Sequence, residues 1–391
     1  LNGNNRLWRG IIIGIVVTFI VITATLGVVV ASNYSHLGRF VKVVSLIKTQ
    51  ALEPVSMAEL VDGAMKGMVE ALKDPYSVYM EPKAYKHLET HIKGTYGGVG
   101  LLITMEKGNK LTVVSPFKGT PAHRAGIKAG DVIVKIDDRE TVDMDIETAA
   151  NLMKGHPGTQ VTLWVQREGV DKLLKFEVTR DKIKIPSVNG QILEDYPEIA
   201  YINITMFNEH TGRELGELLA ELKEKEFKGI ILDLRNNPGG SLSAAIDVAG
   251  YFIPKGPVVY LVSKHETIPH NTEGRREKYP LVVLVNKGSA SASEIVAGAI
   301  KDTNSGIIVG ETTFGKGLVQ TVFQLDGGAA VKLTTAKYLT PAKNDIHEKG
   351  IKPDVEVKLD PELESQILMH APDTEKDAQL LKAIEILQKE I

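Results

Sequence analysis

From residue 198 to about 360 the chain alternates short apolar runs with amphipathic helical stretches, and few architectures accept that order. "IAYINITMF" reads as a strand, and "EHTGRELGELLAELKEKEF" as a helix with Leu215, Leu218, Leu219 and Leu222 on one face. "KGIILDLRNNPGG" is a buried strand entering a glycine turn. A helix over 241–252, strands "PVVYLVS" and "LVVLV", a helix over 291–302 and a strand "GIIVGE" follow. Strands that are apolar throughout and alternate with helices predict a mostly parallel sheet covered on both faces, an α/β domain over 182–360. The domain ends in a β-rich stretch, "GLVQTVFQL" and "AAVKLTTAKYLT". The polar run "HETIPHNTEGRREKYP", 265–280, reads as a surface loop or flap.

At 391 residues the chain is too long for one such domain. Residues 94–181 carry short alternating runs between turns, one helix ("DIETAANLMKG", 145–155), and so predict a small β-rich domain inserted ahead of the sheet. Residues 34–93 read as helical, with Leu60, Ala64, Met68 and Leu72 at helical spacing, and residues 361–391 as helical again, with Leu380, Leu381, Ile384 and Leu387 as a stripe. Two amphipathic regions that cannot cover their own stripes suggest a homodimer. Residues 10–31 are uncharged and mostly apolar, long enough for a transmembrane signal-anchor. Arg6 and Arg9 place residues 1–9 in the cytoplasm and the bulk of the chain outside it. A net charge of -3 gives no reason to expect nucleic acid, and the absence of cysteine removes thiolate chemistry. The histidines, including His265, His270 and His347, lack metal-ligand spacing.

Chemistry concentrates in "NKGSASASEIVAGAI", 286–300, and "GETTFGKGLVQ", 310–320. A serine at a helix start has free backbone N–H groups and a favourable dipole for a developing oxyanion. Lysine between glycines and apolar residues is a base only if burial depresses its pKa. Together they offer a Ser–Lys version of nucleophilic hydrolysis. Ser289 is placed to cap the helix, Ser293 lies in its first turn, and Glu294 complements the helix dipole. Asp233 and Arg235 read as structural contacts at a strand end, Asn236 and Asn237 as turn residues. "YGGVGLLI", 96–103, is a glycine-rich turn whose amides could cradle a carboxylate.

The run "SASASEI … GETTFGKGLVQ", with "DLRNNPGG" before it and "GIKPDV" after it, resembles the carboxyl-terminal processing proteases, the tail-specific serine endopeptidases of peptidase family S41. "GIKAGDVIVKID" resembles a PDZ domain. The first resemblance implies a fold like that of crotonases and the Clp peptidase, with Ser291 as nucleophile, Lys316 as general base and Gln320 orienting the lysine. On an extended strand, positions 316 and 320 share a face. It also implies an oxyanion hole from Gly239 or Gly240 together with Ala292, and no metal or cofactor. The second implies that a substrate C-terminus is added as a strand, its carboxylate at Gly98, Val99, Gly100 and Leu101, its terminal side chain against Ala149, Leu152 and Met153. Arg167 is a candidate bridge between the two domains. The loop "AKNDIHEKG" stands where the family has a Ser-Gly-Arg turn, with little expected effect on catalysis. The competing expectation is a non-catalytic membrane scaffold that binds tails through its PDZ domain and carries an inactive protease-like domain.

Overall fold

The computed structural model describes residues 36–106, 108–274, 279–359 and 372–391. The run 10–31, its flanking arginines and residues 361–371 lie outside the described residues. Among the described residues no helix is long and apolar enough to cross a membrane. The chain divides into two compact units, Leu1–Tyr79 and Met80–Ile391.

The first unit is helical over 36–50 and again in α1 (Met57–Glu70). α1 begins at a reciprocal cap: Glu59 N donates to Ser56 Oγ at 3.1 Å, and Ser56 N donates to the Glu59 carboxylate at 2.7 Å. No α1 residue is buried. Leu37, Phe40, Val41, Val43 and Leu46 are exposed, and so are Met57, Val61, Met68 and Leu72.

The second unit starts with α2 (Pro82–Lys93) and contains the two domains expected from the sequence. In the PDZ-like domain, five antiparallel strands follow in chain order across one sheet: β1 (Leu101–Glu106), β2 (Lys110–Pro116), β3 (Val132–Ile136), β4 (Gln160–Gln166) and β5 (Leu174–Thr179). α3 (Ile146–Met153), capped by Asp145, closes their apolar face over Leu111, Val113, Ile133, Val161 and Leu163. A two-stranded ribbon, Thr95–Gly98 with Asp181–Lys184, holds the domain's entry and exit together. Arg167 stays inside this domain, paired with Asp131 at 2.7 Å and donating to Gly126 O, so it does not bridge to the protease-like domain.

The large domain is built on a six-stranded sheet. Its order is β6 (Val188–Leu193), β7 (Tyr196–Ile204), β8 (Gly229–Asp233), β11 (Leu281–Val285), β12 (Ile307–Gly310) and β15 (Val355–Glu356); only β6–β7 is antiparallel. Every residue of β8 and β11 is buried. Their alternate side chains enter two cores: Ile230, Leu232, Val283 and Val285 meet α4 (Thr211–Lys223), α5 (Leu242–Phe252) and α6 (Ala292–Asp302) on one face. Ile231, Val282 and Leu284 meet α7 (Ala378–Leu387) on the other. Each such fully buried side chain contributes about 1.5–3 kcal/mol.

Three expectations change. Residues 265–280 are not simply a loop: β10 (Thr267–Thr272) pairs antiparallel with β9 (Gly256–Val262). With β13 (Leu318–Gln324) and β14 (Ala330–Leu339) these form a second, antiparallel sheet. β10 is polar because it is mostly solvated, so its sequence carries no apolar period. Second, α7 is not a free dimerisation face. Leu380, Ala383, Ile384 and Leu387 are buried on the chain's own sheet, while Leu381 points outward. Third, the "AKNDIHEKG" loop packs directly against the Gly-Lys-Gly segment, where Glu348 N donates to Gly315 O at 2.8 Å.

α7 is also tied by charge. Buried Arg235, just past β8, pairs with Asp233 at 2.6 Å and with Asp377, the N-cap of α7, at 2.8 Å; it also donates to Gln379 Oε1. Tyr201 donates to Asp233 at 2.7 Å. Arg235→Met would leave two buried carboxylates uncompensated, and urea unfolding of the full chain is expected to show a loss of about 3–5 kcal/mol; a loss below about 1 kcal/mol would mean that the cluster is not what anchors α7.

Candidate active site

Ser291 is the N-cap of α6, and its backbone is strained: φ 54° and ψ −111°. A non-glycine residue held there costs about 1–3 kcal/mol and persists only where its surroundings enforce it. The enforcing groups are visible. Ser289 Oγ donates to Leu234 O and accepts from Asn286 N, and Ser293 Oγ donates to Asn237 O, all buried. Ser289 therefore braces the approach to the helix and is not its cap; it sits two residues outside.

Glu294 organises the rest. This fully buried carboxylate accepts Ser291 N at 2.8 Å and Lys316 N at 2.9 Å on one oxygen. The other oxygen accepts Thr313 Oγ1 at 2.6 Å and Gly315 N at 2.7 Å. It does complement the helix N-terminus as expected, and it also clamps the serine and lysine segments to each other. Tyr338 on β14 adds a fifth tie, its hydroxyl donating to Ser291 O at 3.1 Å.

Ser291, Ala292, Lys316, Gln320, Gly239 and Gly240 all line one cavity of about 500 Å³. Its other walls are largely apolar, with Leu88 and Ile92 of α2, Met206, Leu242, Ile295 and Val322. Burial pulls the Lys316 amine below the ordinary lysine range; the charge of Lys332 pushes it the same way, against Glu294. Lys316 itself precedes β13, and a register shift falls between Val319 and Gln320, so the simple same-face argument does not apply; the two residues still reach the same cavity. Gln320 Nε2 donates to Thr334 Oγ1 at 3.4 Å.

The two turn glycines do different work. Gly239 (φ +96°) lies so close to Ser291 that an added Cβ would sit 2.8 Å from Ser291 Cβ. Gly240 (φ +143°) presses on Phe207, where a Cβ would meet its carbonyl oxygen at 2.0 Å. Gly239 N donates to Asn237 Oδ1 at 2.9 Å. Asn237, read from sequence as a turn residue, also donates to Ile204 O and accepts Ala290 N through its carbonyl, knitting the turn to the serine segment.

In the PDZ-like domain the glycine turn is present, with Gly100 at φ +82°. Val99, Ala149 and Met153 belong to the domain's buried core, so they do not line an open groove; Leu101 and Leu152 are the partly exposed apolar members. Arg180, which no sequence signal marked, holds the end of α3 by donating to Leu152 O and Met153 O. Lys332, Thr334 and Tyr338 were likewise missed. They lie on one alternating strand, and nothing in its pattern says which face meets the serine.

Glu294→Gln puts an amide donor where four donors converge. The expected result is a fall in kcat of about 100-fold with an unchanged circular dichroism spectrum, since displacing reacting groups by about 1 Å costs that much; unchanged kcat would show that the clamp does not set the geometry.

The profile of peptidase family S41 matches residues 198–357, that of a PDZ domain residues 112–167, and that of the activating protease CtpB N-terminal domain residues 25–84. The chain is 39% identical over 347 residues to the carboxy-terminal processing protease CtpA of Bacillus subtilis (strain 168), covering 88% of this chain and 73% of that protein. It is 38% identical over 335 residues to a carboxy-terminal-processing protease of Bartonella bacilliformis, covering 84% and 76%. The crystal structure of a putative S41 protease from Bacteroides fragilis NCTC 9343 shares the fold at TM-score 0.54 and 14% identity, covering 89% of this chain and 97% of that one. With an S41 match over the large domain, a PDZ match ahead of it and close relatives along most of its length, the chain is a serine protease of peptidase family S41, one of the carboxy-terminal processing proteases.

Proposed function

We propose that this protease is an endopeptidase working through Ser291 and Lys316, with the PDZ domain capturing the C-terminus of its protein substrate. The observation that carries the reading is the Glu294 clamp, which holds the amides of Ser291 and Lys316 on one carboxylate oxygen beside an apolar cavity. Ser291 Oγ attacks the scissile carbonyl while neutral Lys316 takes its proton and later returns it to the leaving amine. Water then clears the acyl-enzyme. Gln320 orients the amine. The Gly239 amide is engaged by Asn237, which favours Gly240 N–H with Ala292 N–H, at the open start of α6, as the oxyanion donors. A tail adds beside β1, with its carboxylate at the Gly98–Leu101 turn and its terminal side chain against Leu101 and Leu152. Binding energy taken there helps to orient the distant bond.

We also infer that the run 10–31 anchors the protein, with the catalytic part extracytoplasmic, and that the exposed apolar residues of 36–50 and α1 pair two copies. The scaffold alternative is disfavoured by the intact set of serine, lysine and glutamine on one cavity.

Incubation with a peptide ending in apolar residues distinguishes the serines: Ser291→Ala is expected to abolish cleavage and Ser293→Ala to retain it. Cleavage that survives Ser291→Ala overturns the assignment. The base is tested by pH. Activity should rise as Lys316 loses its proton, with a midpoint below the unperturbed lysine value of about 10.4. Lys332→Met removes a neighbouring positive charge, so the protonated amine becomes easier to hold and the rising limb should move to higher pH. A limb that stays in place or moves down would remove Lys332 from the tuning of the base.

A further inference from the structure

The walls between the tail-binding turn and the nucleophile carry a charge balance unlike that of the chain. The chain has a net charge of -3. A second cavity, of about 780 Å³, lies between α2 and the PDZ domain and reaches the glycine turn at Gly97 and Leu101. Among the described residues its lysines are Lys83, Lys86, Lys93 and Lys154, and its one carboxylate is Glu89. Glu89 is already paired with Lys93 at 2.7 Å, and Lys83 pairs with Glu147 at 3.0 Å. Lys86 and Lys154 remain without a carboxylate among the described residues; Lys154 lies 5.6 Å above the Tyr96 ring.

α2 stands between the two cavities. Residues 83, 86, 87 and 90, one helical face, turn to the PDZ side, while Leu88 and Ile92 line the catalytic cavity. His91 lines both, so the two spaces adjoin at that residue. Among the described residues no aspartate or glutamate lines the catalytic cavity, and Lys332 adds another cation to it.

We propose that the substrate stretch lying along α2, between the captured chain end and the scissile bond, is selected as an acidic peptide, its carboxylates matched by Lys86 and Lys154. The inference rests on the tail-capture reading above and names the substrate class for that site. Each pairing is solvent-exposed and weak, so selection comes from the two together and fades with salt.

The test uses the full chain and two peptides with the same apolar end and the same cleavable bond. One carries aspartates and the other lysines in the intervening stretch. The expected kcat/KM ratio is about fourfold in favour of the acidic peptide at low salt, from roughly twofold for each of the two weak pairs. It should collapse towards unity near about 1 M salt, where the screening length is about 3 Å. In the Lys86→Glu, Lys154→Glu double variant the ratio should invert. The salt series on the unmodified protein gives the answer even if that variant does not fold. A ratio within twofold at low salt, or one that the reversal leaves unchanged, overturns the acidic class while leaving tail capture intact. Failure to cut either peptide overturns the tail-capture reading and this inference with it.

Discussion

Four donors on one buried carboxylate hold the catalytic half of this molecule together. Glu294 sits in the first turn of α6, where its charge also meets the helix N-terminus. Without it, the strained Ser291 backbone and the loop carrying Lys316 would be two separate segments that happen to be near each other. With it, they share a fixed reference point. A buried carboxylate is costly unless its lone pairs are satisfied, and here each oxygen takes two donors. The arrangement therefore tolerates little displacement of Ser291 and Lys316 relative to each other.

That clamp depends on a rigid frame. β8 and β11 are buried on both faces, so the turn after β8 and the segment after β11 emerge side by side at the carboxyl ends of parallel strands. Asn237 and Asn286 then fix the turn and the segment to each other: Asn286 Oδ1 accepts Asn236 N and Asn286 Nδ2 donates to Asn236 Oδ1. On the opposite face of the sheet, α7 covers the second core and is locked through Asp377 to Arg235. The same strand end that leads to the cavity-lining glycines Gly239 and Gly240 thus also anchors the last helix.

Lys316 shows how the setting determines the chemistry. Burial in an apolar cavity and a like charge at Lys332 both favour the neutral amine, whereas Glu294 opposes them. Glu294 contacts the lysine's backbone amide, and in this way it positions Lys316 while the cavity lowers the proton affinity of its amine. The loop 342–350 packs on this same segment and so belongs to its support.

Much was legible in the residue order because it depends on local patterns. Apolar runs at strand length, helical spacing and glycine turns marked the parallel sheet, the PDZ domain and the helix that begins at Ser291. The alternating serines and the Gly-Lys-Gly motif, far apart in the chain, were marked as candidates, and the fold brings Ser291 and Lys316 to one cavity. What could not be read there is set by which surfaces meet. The Leu380–Leu387 stripe looks the same whether it covers another copy or its own sheet; only packing showed that it covers its own. β10 carries no apolar signal because its partner strand, and not a core, defines it. Glu294 looked like an ordinary helix-start acid until the fold brought Thr313, Gly315 and Lys316 to it. Local propensity and periodicity are carried by neighbours in sequence, so the chain alone determined most of its elements and marked its candidate reactive residues. Burial, pairing and the pKa of an amine arise from groups far apart in the chain, so only the tertiary structure decided which of them act together.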